Sequence, residues 1–442
     1  TKKANTKEFC PKECRKLMEI WDTLDDGKRK LEFSGKVRIY LCGVTVYDDA
    51  HIGHARTIIV FDVLRRFLES QKIPVEFIQN FTDVDDKILE GAEREGITPI
   101  ELAKKYTENY FRDFDNLNVR RATKYPKASE HIKEMQALIS NLVDKKFAYV
   151  AKNGVYFSVS KFSDYGKLSK KRNEESRGEH RISVDEEKED PADFALWKFD
   201  NKSKRHWPSP WGEGRPGWHI ECSAMSLKYF DEETFEIHGG GRDLIFPHHE
   251  NEIAQSESFT SKQFAKIWMH VGMITIDGEK MSKSVGNVKS VNHVLENWGP
   301  NVIRLFCLSG KYSTPIDYSE KLLKENIAKL RQIESCYYQL RLAAGPGTNS
   351  TADEFVNGCK SKFDVVLNDD LNTREALAEY YKLIKGVNVL SEEEGITQNS
   401  AKMILEEFER MSDILGIHII KVTDEEKNEI NEMIAKRDEY RL

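Results

Sequence analysis

Two histidines in the first part of the sequence could bind the phosphates of a nucleotide. His51 and His54 enclose Ile52 and Gly53 in the tetrapeptide HIGH, where a β-branched segment gives way to an amphipathic one. A helix N-terminus favours an anion, because its backbone N–H groups lack partners and its dipole is positive there. Both imidazoles can hydrogen-bond a phosphate, and Gly53 lets a flat base approach the backbone. Taken alone, four residues fit an ordinary polar helix start equally well.

Two lysines far along the chain could complete such a site. Lys280 and Lys283 belong to the sequence KMSKS, which lies between Gly278 and Gly286, a context that favours a loop. Two ammonium groups on a loop over a triphosphate can neutralise the charge that develops on a departing pyrophosphate. A solvent-exposed basic turn is the simpler interpretation of this spacing by itself. The combination with the two histidines is what indicates nucleotide chemistry.

Cysteine, histidine and glutamate side chains could bind a metal ion, although their spacing does not show it. Cys42, Cys222, His248 and Glu252 are scattered along the chain, and no zinc-finger spacing connects them. His248 and Glu252 are four residues apart, so on a helix they would project from one face and could converge on one ion. From the residues alone, an ordinary helix contact and buried small side chains are the favoured interpretations.

The order of predicted elements indicates an α/β fold that positions these residues. A β-branched segment over 36–47, an amphipathic segment over 53–70 and an apolar segment over 75–81 give the β-α-β order that opens a doubly wound, Rossmann-like parallel sheet. Ligands of such sheets bind where strands end and helices begin. Sheet-like and Gly-rich segments resume over about 197–286, and helical periodicity prevails over 315–415. We therefore expect an α/β catalytic domain followed by an all-α bundle.

These changes of pattern also predict the domain limits. We expect an N-terminal leader over 1–35, a Rossmann-like catalytic domain over 36–310 with an insertion at about 118–196, a helical domain over 311–425, and over 426–442 the start of a truncated C-terminal segment. The charged tract over 170–190 is expected to be a solvated loop.

Composition excludes several classes of protein. With 442 residues, of which 39% are hydrophobic and 32% charged, the chain can bury more than one core and is not disordered throughout. No segment approaches the roughly 18 apolar residues of a membrane span, and we expect a cytoplasmic monomer. Seven irregularly spaced cysteines do not indicate a disulfide framework. The net charge of -7 requires any nucleic-acid partner to bind a local basic surface.

The HIGH and KMSKS motifs together resemble the paired signature of class I aminoacyl-tRNA synthetases. Longer blocks are similar to cysteinyl-tRNA synthetases: LCGVTVYDDAHIGHAR (41–56), NFTDVDDKI (80–88), WPSPWGEGRPGWHIECSAM (207–225), FEIHGGGRDLIFPHHENEIAQS (235–256) and MHVGMITIDGEKMSKSVGN (269–287). The similarity is dense over about 36–310 and looser in the helical region, where DDLNTREAL (369–377) carries it.

This resemblance implies a cysteine–tRNA ligase. Such an enzyme activates L-cysteine with ATP to cysteinyl-adenylate and pyrophosphate, and then transfers cysteine to the 3′ end of tRNA-Cys. The resemblance implies Mg²⁺ with ATP and one Zn²⁺ per chain, with the metal ligands Cys42, Cys222, His248 and Glu252. Zinc would recognise the substrate thiolate, because a soft ligand binds this metal better than a serine hydroxyl does.

The resemblance also implies roles for other residues. The residues implied to bind ATP are His51, Gly53, His54, Lys280 and Lys283. The histidines and lysines among them are also the implied catalytic residues. Gly43 would let the substrate approach the backbone, Thr82 would line the amino-acid pocket, and Trp218 would close over the bound side chain. His219 and Asp243 are expected in the same pocket, and His238 at a strand end that opens toward the nucleotide. Candidate contacts to the tRNA backbone in the helical domain are Lys321, Lys324, Lys329 and Arg331.

Two other functions stay open at this point. A cysteine–amino-sugar ligase of the same family shares the catalytic blocks but reads no tRNA, and the extended helical region argues against it. A non-catalytic, synthetase-like RNA-binding paralogue would not need both motifs and all four metal residues.

Overall fold

The computed structural model describes residues 18–171, 187–200, 205–281, 286–419 and 433, apart from positions 344, 348, 350, 351 and 394. The strands are β1 (Glu19–Asp22), β2 (Gly27–Lys30), β3 (Val37–Thr45), β4 (Val75–Thr82), β5 (Ala148–Val150), β6 (Gly154–Phe157), β7 (Phe194–Phe199), β8 (Gly214–Pro216), β9 (Phe235–Gly241), β10 (Ala265–Val271), β11 (Ile274–Ile276), β12 (Glu279–Lys280) and β13 (Ile316–Tyr318).

The helices fall into two groups along the chain. Those of the first part are α1 (Ile52–Ser70), α2 (Asp86–Glu95), α3 (Pro99–Asn116), α4 (Ile132–Asp144), α5 (Trp218–Tyr229), α6 (Glu250–Thr260), α7 (Val291–Trp298) and α8 (Pro300–Leu308). Those of the last part are α9 (Glu320–Leu342), α10 (Ala352–Asn368), α11 (Thr373–Glu393) and α12 (Gln398–Leu415). No helix among the described residues has both the length and the apolar character that crossing a bilayer requires.

A parallel sheet with the strand order β10-β9-β3-β4 lies at the centre of the first part. Strand β3 is central because it pairs in parallel with β4 on one side and β9 on the other. The chain leaves β3 through α1 toward β4 and later returns to the opposite edge. The strand order therefore reverses at β3, whose carboxyl end is the topological switch point where such sheets bind ligands. The predicted Rossmann-like fold followed by helices is confirmed.

The part of the chain from α4 to β8 forms a second layer. Strands β5, β6, β7 and β8 make an antiparallel sheet, and α4 packs against α5 and α6. The sheet continues past residue 196, because β8 pairs with β7. Residues 172–186 of the charged tract lie outside the described residues. The domain limits stay predictions, and most of the segment predicted over 426–442 also lies outside the described residues.

The second half of the predicted leader is folded onto the body. β1 and β2 form an antiparallel hairpin, and Thr23 N–H donates to the Trp268 carbonyl of β10 at 3.0 Å. Trp268 N–H in turn donates to the buried Asp22 carboxylate at 2.9 Å. The hairpin also reaches the helical part, since Trp21 N–H donates to Asp370 at 2.8 Å. The residues of β1 alternate between partly buried and buried, but a strand of four residues is too short for this pattern to be recognised in the sequence.

A buried ion network joins α1 to the helical part. Asp62 of α1 accepts from Arg66 Nε at 2.9 Å and from Arg304 Nη2 of α8 at 2.6 Å. Arg304 Nε also donates to the Leu415 carbonyl at the end of α12 at 2.9 Å, and Arg66 Nη1 donates to Asp413 at 2.9 Å. All side chains of this network except Asp413 are nearly inaccessible to water. Asp62 therefore compensates two arginines that are buried where the two parts meet.

We predict that Asp62→Ala destabilises the protein by about 3 kcal/mol or more, because it leaves the buried Arg304 without its carboxylate and Arg66 with only the partly exposed Asp413. Urea-induced unfolding followed by circular dichroism measures the change. The control Asp115→Ala removes an exposed pair with Arg121, for which less than about 1 kcal/mol is expected. Equal effects of the two substitutions would show that the Asp62 network does not hold the two parts together.

Candidate active site and metal centre

The HIGH residues form the N-terminal cap of α1. His54 N–H donates to His51 Nδ1, and His51 N–H donates to His54 Nδ1, both at 3.3 Å. The two rings stack with centroids 3.7 Å apart. Because Nδ1 of each ring accepts a hydrogen bond, the proton of each neutral imidazole lies on Nε2. Two parallel N–H donors thus stand at the positive end of a helix, which is a suitable arrangement for binding phosphate.

The chain that follows KMSKS is joined to this cap. Ile52 N–H donates to the Lys289 carbonyl at 2.9 Å, and Val291 N–H donates to the Ala50 carbonyl at 2.7 Å. A Cβ atom on Gly53 would lie 3.0 Å from the His51 ring and 3.4 Å from the methyl carbon of Met281. The structure therefore brings the two motifs together, and Gly53 keeps the space between them open.

The lysines of KMSKS are described only in part. The Lys280 backbone belongs to β12, where it pairs with Thr275 of β11. Its side chain and the whole of Lys283 lie outside the described residues, so their roles stay predictions.

Four ligand-type side chains converge at the carboxyl end of β3. Cys42 comes from β3, Cys222 from α5, and His248 and Glu252 from the turn into α6, and their ligand atoms all lie within 4.8 Å of one another. The Cys42 and Cys222 sulfurs are 3.7 Å apart, and His248 Nε2 lies 3.0 Å from Glu252 Oε1. Two thiolates bound tetrahedrally to one zinc, with Zn–S bonds of about 2.3 Å, would stand about 3.8 Å apart. The two sulfurs, imidazole and carboxylate therefore fit zinc.

The electrostatics of this cluster favour the ionised forms of Glu252 and Cys222. Burial raises the pKa of Glu252, but the adjacent His238 and His248 outweigh that effect and lower it to about 2. Burial alone would lower the pKa of His248, yet the Glu252 charge raises it to about 10. Burial raises the pKa of the Cys42 thiol. For Cys222 the hydrogen bonds with Cys42 and His248 overcome the effect of burial and lower the pKa to about 6.

Two further histidines adjoin the cluster. His238 Nε2 lies 2.9 Å from Glu252 Oε2, and His249 Nε2 lies 3.2 Å from the Cys42 sulfur. Both rings are completely buried. The resemblance places His238 at a strand end that opens toward the nucleotide, and in the structure its ring lies against Glu252. The sequence did not indicate that His249 contacts the cluster. The tandem histidines of HHENE were the only signal for it, and spacing along the chain does not show which of two adjacent side chains turns inward.

Comparison with known proteins defines the family. A model of the class I (C) tRNA synthetase catalytic domain matches residues 29–328, and a model of the DALR domain matches residues 362–419. A cysteine–tRNA ligase of Caldicellulosiruptor saccharolyticus is 45% identical over 96% of this chain and 92% of its own length. One of Carboxydothermus hydrogenoformans is 46% identical over 90% of this chain and 87% of its own. The chain belongs to the cysteine–tRNA ligase family.

Solved structures of class I synthetases share the fold of this cysteine–tRNA ligase family member. A Mycobacterium tuberculosis methionyl-tRNA synthetase in complex with methionyl-adenylate superposes with a TM-score of 0.64 at 15% identity, over 86% of this chain and 90% of that chain. The LeuRS of Agrobacterium radiobacter K84, in a ternary complex, gives 0.63 at 10% identity, over 87% and 85%. At these identities the likeness establishes the fold alone.

The residues predicted to contact the substrate lie around the metal cluster of this family member. Trp218 is 39% exposed and its ring stacks on His248, with centroids 4.2 Å apart, so it is not a core indole. Thr82 is buried and its hydroxyl donates to Glu221 Oε2 at 2.8 Å. His219 Nδ1 lies 3.0 Å from His248 Nδ1. Asp243 is exposed in the turn after β9, and its place in the substrate pocket stays a prediction.

The structure gives a reason for glycine at position 43 other than the predicted approach of the substrate. A Cβ atom there would lie 1.5 Å from the Asn80 carbonyl oxygen of β4, and Gly43 N–H donates to Asn80 Oδ1 at 2.9 Å. The missing side chain therefore lets two strands approach beside the cluster. Its role toward a substrate stays a prediction.

The remaining described cysteines lie away from the cluster. Cys307, Cys336 and Cys359 are buried in the helices and are free thiols, as predicted for ordinary thiols. Cys10 and Cys14 lie outside the described residues.

We predict that the protein binds one zinc ion per chain and that Cys42→Ser or Cys222→Ser weakens this binding at least about 100-fold, because each removes a thiolate ligand. Elemental analysis and a competition titration with a chelator measure it. Cys307→Ala is the matched control, since this thiol is buried outside the cluster. Retention of parental zinc affinity by Cys42→Ser would refute the ligand assignment.

Proposed function

We propose that this protein is a cysteine–tRNA ligase that reads the substrate side chain as a thiolate through zinc. The observation that carries the proposal is the convergence of Cys42, Cys222, His248 and Glu252 at the switch point of a class I synthetase fold, beside the HIGH helix. Membership in the cysteine–tRNA ligase family supports the same conclusion independently. ATP, L-cysteine and tRNA-Cys are the proposed partners, and the proposed active form is a monomer.

In the first step, a cysteine carboxylate oxygen attacks the α-phosphorus of ATP, and the bond from that phosphorus to the pyrophosphate oxygen breaks. His51 and His54 donate Nε2–H to the phosphate oxygens, and Gly53 admits the adenine. Lys280 and Lys283 stabilise the charge on the departing pyrophosphate, and Mg²⁺ bound with ATP would share that charge. This mechanism uses positioning and charge stabilisation, without a covalent enzyme intermediate.

The metal-binding residues account for the choice of cysteine over serine. A pocket that reads shape alone separates such near-isosteres by only about 10–200-fold. Bound zinc would stabilise the substrate thiolate at neutral pH and discriminate against the harder, weakly acidic serine hydroxyl. Trp218, partly exposed and stacked on His248, would cover the bound side chain. His238 and His248 hold Glu252 in its charged state.

In the second step, a hydroxyl of the terminal adenosine ribose attacks the cysteinyl carbonyl, and AMP leaves. The helical domain is the proposed tRNA-binding region, supported by its DALR match. Lys321, Lys324 and Arg331 of α9 are exposed, and Lys324 is paired with Glu320 at 3.2 Å. The helical domain also distinguishes this proposal from a cysteine–amino-sugar ligase.

We expect cysteine-dependent ATP–pyrophosphate exchange with a preference for cysteine over serine greater than about 200-fold, the upper limit of shape discrimination. Steady-state exchange with each amino acid measures the preference, and removal of zinc should abolish it. In the same preparation, tRNA as the sole acyl acceptor should be charged with cysteine. Absence of exchange would favour a non-catalytic paralogue, and exchange without charging would favour the amino-sugar ligase.

We also expect salt to weaken charging far more than activation. The chain has a net charge of -7, so tRNA must bind a local basic surface, and each neutralised phosphate makes the affinity more dependent on salt. Between about 50 and 200 mM salt, several phosphate contacts should raise the KM for tRNA at least tenfold. The KM for cysteine in pyrophosphate exchange serves as the control. Parallel responses of the two KM values would contradict a phosphate-based tRNA interface.

A further inference from the structure

Within the described part of the chain, a buried arginine on the HIGH helix hydrogen-bonds only to backbone carbonyls. Arg56 lies in α1, and its side chain is fully inaccessible to water. Its Nη1 donates to the carbonyl of Gly272 at 2.8 Å and to that of Met273 at 3.0 Å. Its Nη2 donates to the carbonyls of Lys311 at 3.1 Å and Thr314 at 2.7 Å. Among the described residues, no carboxylate lies at ion-pair distance from Arg56.

Burial of this cation is costly. The loss of hydration lowers the pKa of Arg56 to about 10, and neutral carbonyl dipoles compensate a buried charge less completely than a carboxylate does. A hydrophobic side chain of similar volume would avoid the cost, as Ile59, Val60 and Val63 do elsewhere in the buried part of α1. The four convergent carbonyls are therefore the reason for an arginine here.

The four carbonyls belong to two segments that flank the hairpin carrying Lys280. Gly272 and Met273 connect β10 to β11, whose partner β12 contains Lys280. Lys311 and Thr314 precede β13, which pairs with the other side of β11. Arg56 thus binds both backbone segments from which this three-stranded sheet begins.

The same junction is closely packed without the arginine side chain. Gly272 N–H donates to the Tyr312 carbonyl at 2.8 Å, and a Cβ atom on Gly272 would lie 2.2 Å from the Thr314 carbonyl oxygen. That oxygen is also an Arg56 acceptor. A side chain at Gly272 would therefore displace one of the four carbonyls even with Arg56 intact.

We propose that Arg56 is a positioning residue for ATP activation. By binding the carbonyls of Gly272, Met273, Lys311 and Thr314, it holds the β11–β12 hairpin at a fixed place relative to the His51–His54 cap. Arg56 follows His51 by five residues, about 7.5 Å along the helix axis, so one rigid helix carries both the phosphate-binding cap and the contact to the hairpin. This inference rests on the proposed function, because it concerns the same ATP site.

An arginine suits this task better than a lysine. Its planar guanidinium presents five donors in a rigid fork, whereas an ammonium is a point charge on a flexible stem. Arg56→Lys should therefore keep the positive charge but reproduce only part of the hydrogen-bond geometry toward the four carbonyls.

The test compares cysteine-dependent pyrophosphate exchange in zinc-loaded full-length protein carrying Arg56→Met, Arg56→Lys, Gly272→Ala, or both Arg56→Met and Gly272→Ala. The control is Arg304→Met, which removes an equally buried arginine that contacts a carboxylate and the end of α12. All variants are assayed at a temperature where circular dichroism shows them to be folded. Hydrogen exchange of the segments 272–276 and 311–318 is measured in parallel.

We expect Arg56→Met to lower kcat at least about tenfold, because small misplacements of charged groups over a reacting phosphate are costly. The KM for cysteine should change less than twofold, and Arg56→Lys should recover part of the loss. Gly272→Ala should also lower kcat. The kcat of the double variant should fall no further than that of the single variant with the larger loss. Both segments should exchange faster in Arg56→Met, whereas Arg304→Met should keep kcat within about threefold.

Three results would overturn the inference. They are a loss in Arg56→Met no larger than in Arg304→Met, additive losses in the double variant, and unchanged hydrogen exchange in the two segments. If the unmodified protein shows no exchange of pyrophosphate, the proposed function fails. Hydrogen exchange then still decides whether Arg56 holds the hairpin, since unchanged protection would refute that contact and faster exchange would support it.

Discussion

The structure depends on charged and ligand-type groups that are buried and must be compensated inside the protein. Glu252 is the clearest case, since its carboxylate has no access to water and meets His238, His248 and the Cys42 sulfur. An isolated carboxylate in that place would be very unfavourable. The surrounding donors stabilise its charge, and that charge in turn keeps the site attractive to a metal ion. The carboxyl end of β3 can therefore be both buried and chemically reactive.

Helix α1 extends the same constraint across the molecule. Its N-terminal end presents His51 and His54, its second turn binds backbone carbonyls through Arg56, and its middle binds Arg304 through Asp62. These groups belong to or contact three different parts of the fold: the His51–His54 cap, the β11–β12 hairpin and the helical domain. Because a helix is a stiff element, α1 holds these three regions at fixed positions relative to one another. Helix α1 and the helical domain also share one hydrophobic core, and a second core on the other face of the central sheet packs against the second layer.

Much of the fold followed from local patterns, whereas several details of the site did not. The β-α-β order around HIGH and the helical periodicity after residue 315 are strong signals, and the structure confirms the fold they predict. The convergence of Cys42 and Cys222, which are 180 residues apart, depends on strand order, so only the resemblance to a known family indicated it. The orientation of His238 and the contact of Gly43 with Asn80 depend on register between β3 and its neighbours. No single-chain pattern contains that register.

The proposed function requires that the buried cluster holds zinc and that this zinc binds the substrate thiolate. X-ray absorption at the zinc edge tests it most directly, because sulfur and nitrogen or oxygen ligands differ in bond length. We expect two sulfur ligands per zinc in the protein alone, from Cys42 and Cys222. The number of sulfur ligands should rise to three after addition of L-cysteine and stay at two after addition of L-serine. A sulfur count that L-cysteine leaves unchanged would contradict it.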